Sequence, residues 1–221
     1  MPFNLIVIAT PPFKAFGFMH DKSDEYYMLC SRSDKHRKLR RQSMNYQTLD
    51  KSKQKEVAEL FTSVFTSSEG KKEGVLIGNL SSGLASNIDN EKIICFGVHE
   101  NESLIGAIFF TRLKFNSPIQ VYMLAPVAVS TENQGKGIGQ ALINHGLNEL
   151  KKRYVSVAVT YGDPSYYSKV GFQALSENSI QAPLKLSMPF GWLGQSLTGE
   201  PIPTIHERPV CVEEFNDPVY W

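Results

Sequence analysis

The sequence is poor in cysteine, in long apolar runs and in net charge, and each shortage argues against a class of protein. Its three cysteines, Cys30, Cys95 and Cys211, lie far apart and form no CxxC pair, which argues against a disulfide scaffold and favours a reducing, cytoplasmic setting. The five histidines show neither HxxxH nor HExxH spacing, so we expect no metal site. No apolar run approaches the ~20 residues that cross a bilayer, and a formal net charge of +1 gives no sign of a nucleic-acid partner.

Residues 1–43 differ from the rest of the chain. They carry eight Lys/Arg and four Asp/Glu, a net charge of +4, which leaves −3 for the remainder. No helical or strand period runs through them. We therefore expect an N-terminal extension over residues 1–43, either native or the result of a translation start assigned too far upstream, and one domain over residues 44–221.

From Met44 onward, strand and helix patterns alternate. Strands are predicted near 46–49, 92–100, 103–115, 119–129 and 154–161, and helices at about 52–65, 75–84 and 137–152. The strand at 154–161 is almost wholly apolar, as in a buried parallel strand, so the helix before it predicts a βαβ unit. Pro126 cannot donate to a sheet ladder and marks an edge, a bulge or a splay in its strand. In the tail, residues 210–215 are the best strand candidate.

Three glycines at alternate positions, Gly135, Gly137 and Gly139, lie where the helix at 137–152 begins. The first turn of a helix has unpaired N–H groups and a partial positive charge. Without side chains, that turn admits a large anion directly onto the N–H groups, and Lys136 adds a positive charge. The pattern therefore predicts a phosphate or pyrophosphate site. It matches neither a Walker A loop nor a GxGxxG dinucleotide fingerprint, but Gln134 to Gly139 fit [RQ]xxGx[GA].

Two linked motifs resemble the GNAT superfamily of N-acetyltransferases. The stretch from Val127 to Leu142, "VAVSTENQGKGIGQAL", is similar to the family's loop signature, and "YYSKVGF" at 166–172 is similar to its second motif. The resemblance covers about residues 46–175. It implies an α/β fold with a central mixed sheet that is splayed between the fourth and fifth strands and flanked by helices.

The resemblance also implies an activity and its site residues. The protein would transfer an acetyl group from acetyl-CoA, its co-substrate, to a primary amine of a small molecule or peptide by direct attack. The backbone of one strand segment would pair with the pantetheine arm, the N–H groups of the following loop would hold the pyrophosphate, and Tyr167 would be the general acid. These cofactor-binding residues are Val127, Ala128, Val129, Gln134, Gly135, Lys136, Gly137, Ile138, Gly139 and Gln140.

Several alternatives stay open. Residues 119–129 contain no carboxylate, so the general base is not identified, and a non-catalytic acyl-CoA sensor is the alternative function. Tyr166 is expected to pack. Phe61, Phe65 and residues 188–195 could line the acceptor site, although core packing is the commoner role for each residue. The acceptor amine is not specified, and a homodimer is left open.

Overall fold

The computed structural model describes residues 44–221, so the prediction of an extension at 1–43 lies outside the described residues. The described chain forms one seven-stranded sheet with helices on both faces. The strands are β1 (Asn45–Leu49), β2 (Ile93–Glu100), β3 (Ser103–Leu113), β4 (Val121–Val129), β5 (Val157–Tyr161), β6 (Gln173–Ala174) and β7 (Trp192–Ser196). The helices are α1 (Gln54–Glu69), α2 (Lys71–Ser86), α3 (Ile138–Lys152) and α4 (Pro164–Tyr167).

The sheet is mixed, as predicted. Its strand order is β1-β2-β3-β4-β5-β7-β6. The β4–β5 pair is parallel and the other pairs are antiparallel. Helix α3 connects the parallel pair, which confirms the βαβ unit. Every residue of β4 and β5 is buried, as expected for strands covered on both faces.

The β4–β5 pair covers only half of β4. Its register runs from Val121 opposite Val157 to Leu124 opposite Thr160, and no later residue of β4 pairs with β5. The second half of β4 continues beside β3 alone, after a register shift within that pair. Pro126 lies just past the last β4–β5 pair, so the predicted splay is confirmed at the predicted place.

Neighbouring phenylalanines of β3 show that α1 and α3 cover opposite faces of the sheet. The Phe109 ring lies 5.8 Å from the Phe61 ring of α1. A Cβ atom placed on Gly146 of α3 would overlap the Phe110 ring. Successive side chains of a strand point to opposite faces, so the sheet is packed between an α1–α2 layer and α3.

The C-terminal tail departs from the sequence prediction. Residues 210–215 are not a strand: Val210 makes an isolated backbone bridge to Lys114, and Glu213–Phe215 form a 3₁₀ turn. The strand that does form is β7, which is inserted between β5 and β6. Pairing with β5 decides this strand, and such tertiary pairing overrides local propensity. Among the described helices, none has the length and apolar character needed to cross a bilayer.

Candidate active site

The candidate site begins where β4 parts from β5. Residues Val127, Ala128 and Val129 are buried, and they pair with β3 on one side only. At the last β4–β5 pair, the Thr160 hydroxyl donates a 2.9 Å hydrogen bond to the carbonyl oxygen of Leu124. The splay therefore leaves a slot along one edge of β4, and this slot leads toward α3.

A tight turn connects β4 to the first turn of α3. The Gln134 side-chain amide donates to the Val129 carbonyl oxygen at 2.9 Å, and the Gln134 N–H donates to the Thr131 carbonyl oxygen at 3.4 Å. The Lys136 ammonium donates to Oδ1 of the buried Asn133 at 2.8 Å. The side chains of Gln134 and Lys136 thus stabilise the turn, and the contact with Asn133 was not predicted from the sequence.

Two of the three glycines have backbone conformations that favour glycine. Gly135 has φ +73° and Gly137, the N-cap of α3, has φ +78°. A Cβ atom at either position would meet nothing within 4 Å. The space beside both residues is therefore open to a ligand.

The backbone N–H groups from Gly135 to Gln140 lack partners within residues 44–221, since the first donor at this end of α3 is Ala141, which bonds the Gly137 carbonyl oxygen at 3.0 Å. The Ile138 side chain is buried in the core, so this residue offers its backbone alone. An array of free N–H groups at the positive end of a helix can bind an anion. We call the N–H groups from Gly135 to Gln140 the anion seat. The orphaned donors and the open space both fit the pyrophosphate that the sequence predicts.

Gly139 is glycine for a different reason. A Cβ atom here would lie 2.9 Å from the Tyr166 hydroxyl oxygen and 3.6 Å from Cγ2 of Val129. Its φ is not positive, so conformation alone would admit alanine. The third glycine makes room for a tyrosine, and Tyr166 packs against the hydrophobic core as expected.

Helix α4 places Tyr167 near Thr160, where β4 and β5 part. Asp163 caps the helix by accepting the Ser165 N–H at 2.8 Å. After a 3₁₀ turn over Ser168–Val170, Gly171, with φ +93°, reverses the chain so that the Phe172 N–H reaches the Tyr167 carbonyl oxygen at 3.2 Å. This geometry explains why glycine and an aromatic residue follow the tyrosine at fixed spacing in "YYSKVGF".

The Tyr167 side chain is almost fully buried, at 1% exposure, and its hydroxyl has no hydrogen-bond partner at standard geometry in the described chain. Burial raises the pKa of this phenol well above its usual range, and a weak interaction with the Thr160 hydroxyl opposes that shift. The Tyr167 hydroxyl is thus a proton-bearing group without a protein acceptor. Thr160, the buried hydroxyl beside it, was not predicted, although it is a polar residue within the otherwise apolar run from Val157 to Thr160.

The residues that could line the acceptor site differ in their exposure. Phe61 and Phe65 lie on the buried face of α1, with their rings 6.3 Å apart. In the segment 188–195, Trp192 is buried in β7 and Phe190 is exposed. No group of three or more His, Cys, Asp or Glu side chains is arranged to hold a metal in the part of the chain that the structure describes.

Comparison with known proteins identifies the family to which the chain is similar. The sequence profile described as "Acetyltransferase (GNAT) domain" matches residues 45–175. The uncharacterised N-acetyltransferase YjhQ of Escherichia coli K12 is 30% identical over 160 residues, which are 69% of this chain and 84% of YjhQ.

Solved structures show the same fold. The GNAT family N-acetyltransferase YhbS of E. coli, solved in complex with CoA, superposes with a TM-score of 0.66 at 19% identity, over 82% of this chain and 97% of YhbS. A GNAT family acetyltransferase of Brucella melitensis, solved with acetyl-CoA, gives a TM-score of 0.55 at 21% identity, over 77% of this chain and 95% of the other.

Proposed function

The chain belongs to the GNAT family of acetyltransferases, and from this membership we propose that it transfers an acetyl group from acetyl-CoA to a primary amine of a small molecule or peptide. The observation that carries the proposal is the continuity between the slot on β4 and the first turn of α3. An extended ligand with an anionic end could pair with Val127–Val129 and seat its charge on the N–H groups of 135–140. Two relatives of the same fold were solved with CoA or acetyl-CoA, which supports this choice of ligand.

Each part of the site has a proposed role. Bound acetyl-CoA would supply an acetyl group activated as a thioester. The slot holds the reacting carbonyl where an amine nitrogen can attack it, and this positioning is itself a large part of catalysis. As the new C–N bond forms and the C–S bond breaks, Tyr167 donates its phenolic proton to the departing sulfur. The raised pKa of Tyr167 keeps that proton in place at neutral pH.

The proton released by the amine has no assigned acceptor. Strand β4 contains neither Asp nor Glu, so we propose that the amine loses its proton to water or reaches the slot already neutral. The same absence supports the alternative function, a non-catalytic acyl-CoA-binding sensor.

Turnover of acetyl-CoA across a panel of small primary amines and peptide N-termini tests the proposal, with Tyr167→Phe as the matched variant. We expect acetylation of at least one amine and a loss of rate in Tyr167→Phe. Binding of CoA without turnover on any amine would favour the sensor. If calorimetry detects no CoA binding, both functions are wrong.

A further inference from the structure

Tyr166 lies beside the anion seat although the sequence assigns it no role there. It is half-buried on α4, and its hydroxyl oxygen would be 2.9 Å from a Cβ atom on Gly139. The Cα–Cβ bonds of a helix tilt toward its N-terminus. The hydroxyl therefore lies beside the first turn of α3.

The same point is close to β4. The Cβ position on Gly139 is also 3.6 Å from Cγ2 of Val129, the last residue of the strand. The Tyr166 hydroxyl thus lies at the junction between the slot and the anion seat.

The Tyr166 hydroxyl is available for a ligand. It makes no hydrogen bond to any group in residues 44–221, whereas the phenol of Tyr161 both contacts Ser187 and accepts the Met188 N–H. Burial raises the pKa of Tyr166 to about 12, so the group remains a donor at neutral pH. A half-buried donor that the protein leaves unpaired is costly unless a ligand or water pairs with it.

We propose that Tyr166 is a cofactor-binding residue whose hydroxyl donates a hydrogen bond to the anion seated on the N-terminus of α3. Gly139 is then glycine to give this hydroxyl its place. The proposal rests on the proposed function, since the anion is the pyrophosphate of CoA. The two tyrosines of "YYSKVGF" then have different roles: Tyr166 binds the pyrophosphate, and Tyr167 donates a proton to the leaving group.

Substitution of Tyr166 by phenylalanine removes the oxygen and keeps the ring. We expect the Kd for CoA, measured by calorimetry, to rise about tenfold, as for the loss of a hydrogen bond to a charged group. The inhibition constant of inorganic pyrophosphate should rise by a similar factor. At saturating acetyl-CoA kcat should stay within about twofold, and the ligand-free Tm should not fall, because no protein hydrogen bond is lost.

Tyr154→Phe is the matched control, because Tyr154 is 88% exposed and lies at the opposite end of α3. Its CoA affinity should equal that of the wild type. An unchanged Kd in Tyr166→Phe, or a changed Kd for CoA with unchanged inhibition by pyrophosphate, would overturn the proposal. Failure of the wild type to bind CoA would overturn the proposed function instead.

A double-mutant cycle tests the link to Gly139. Gly139→Ala should displace the hydroxyl and weaken CoA binding about as much as Tyr166→Phe does. Because both changes remove the same hydrogen bond, the double variant should be no weaker than either single variant. An additive loss of about a hundredfold would mean that Gly139 serves the ligand directly, and the proposal would be wrong.

Discussion

A substitution in the first turn of α3 should affect CoA binding much more than it affects the stability of the fold. Gly137 has φ +78°, and this left-handed conformation costs an alanine about 1 kcal/mol. A methyl group there would meet nothing within 4 Å, so no steric cost is added. For a domain of this size, we expect Gly137→Ala to lower the Tm by about 2–4 °C.

The effect of Gly137→Ala on CoA binding should be much larger than its effect on folding. The new methyl group would project beside N–H groups that donate to nothing in the described chain, where the pyrophosphate is proposed to lie. We expect the Kd for CoA to rise at least about tenfold, a loss of about 1.4 kcal/mol. Gly137→Glu, which adds negative charge, should abolish binding.

Gly199 provides the matched control. It has φ +87°, and a Cβ atom there would also meet nothing within 4 Å. Gly199→Ala should therefore cost the same stability and leave CoA affinity unchanged. At a CoA concentration about 100 times the wild-type Kd, the wild type and Gly199→Ala should each gain about 2.7 kcal/mol of stability. Gly137→Ala should gain about 1.4 kcal/mol less. Equal CoA affinity in the two alanine variants would refute the anion seat.

Three further predictions concern Tyr167, Asp89 and Gly146. Tyr167→Phe should lower kcat by about 10²-fold at unchanged CoA affinity, and an equal kcat in both proteins would exclude the acid role. Because the pKa of Tyr167 is raised, wild-type kcat should show no alkaline decline from this group up to about pH 10. Burial alone would raise the pKa of Asp89, but hydrogen bonds from three backbone N–H groups hold this pKa below its usual range. The contribution of Asp89 to stability is therefore present above about pH 4 and is lost as pH falls. In urea titrations Asp89→Asn should be less stable than the wild type at pH 7 and nearly equal to it at pH 2. A methyl group on Gly146 would overlap the Phe110 ring, so Gly146→Ala should cost about 1–3 kcal/mol in the same assay without changing CoA affinity.

The sequence predicts those parts of the fold whose signals are local. An apolar strand at 154–161, a proline at 126 and a periodic helix after three glycines are each visible within a few residues. They were enough for the βαβ unit and the splay. Strand β7 has no such signal, because it forms by pairing with β5, more than thirty residues earlier in the chain.

At the site, too, the sequence does not predict contacts between residues that are far apart in the chain. The sequence groups Gly135, Gly137 and Gly139 as clearance for one anion. Only the backbone dihedral angles and the neighbouring atoms separate the first two, which face open space, from Gly139, which faces Tyr166. That contact joins residues 27 positions apart, and no spacing rule within one sequence reveals it.

The point where the sheet opens also positions the proposed acid, because both involve Thr160. The Thr160 hydroxyl bonds the Leu124 carbonyl oxygen at the last β4–β5 pair, and Pro126, just beyond, has no N–H to continue a ladder. The Tyr167 hydroxyl interacts weakly with that same threonine. The proposed acid therefore lies where the slot begins, and the free N–H groups of α3 lie where the slot ends. The length of β4 that is left unpaired thus determines the distance between the proposed acid and the proposed anion seat.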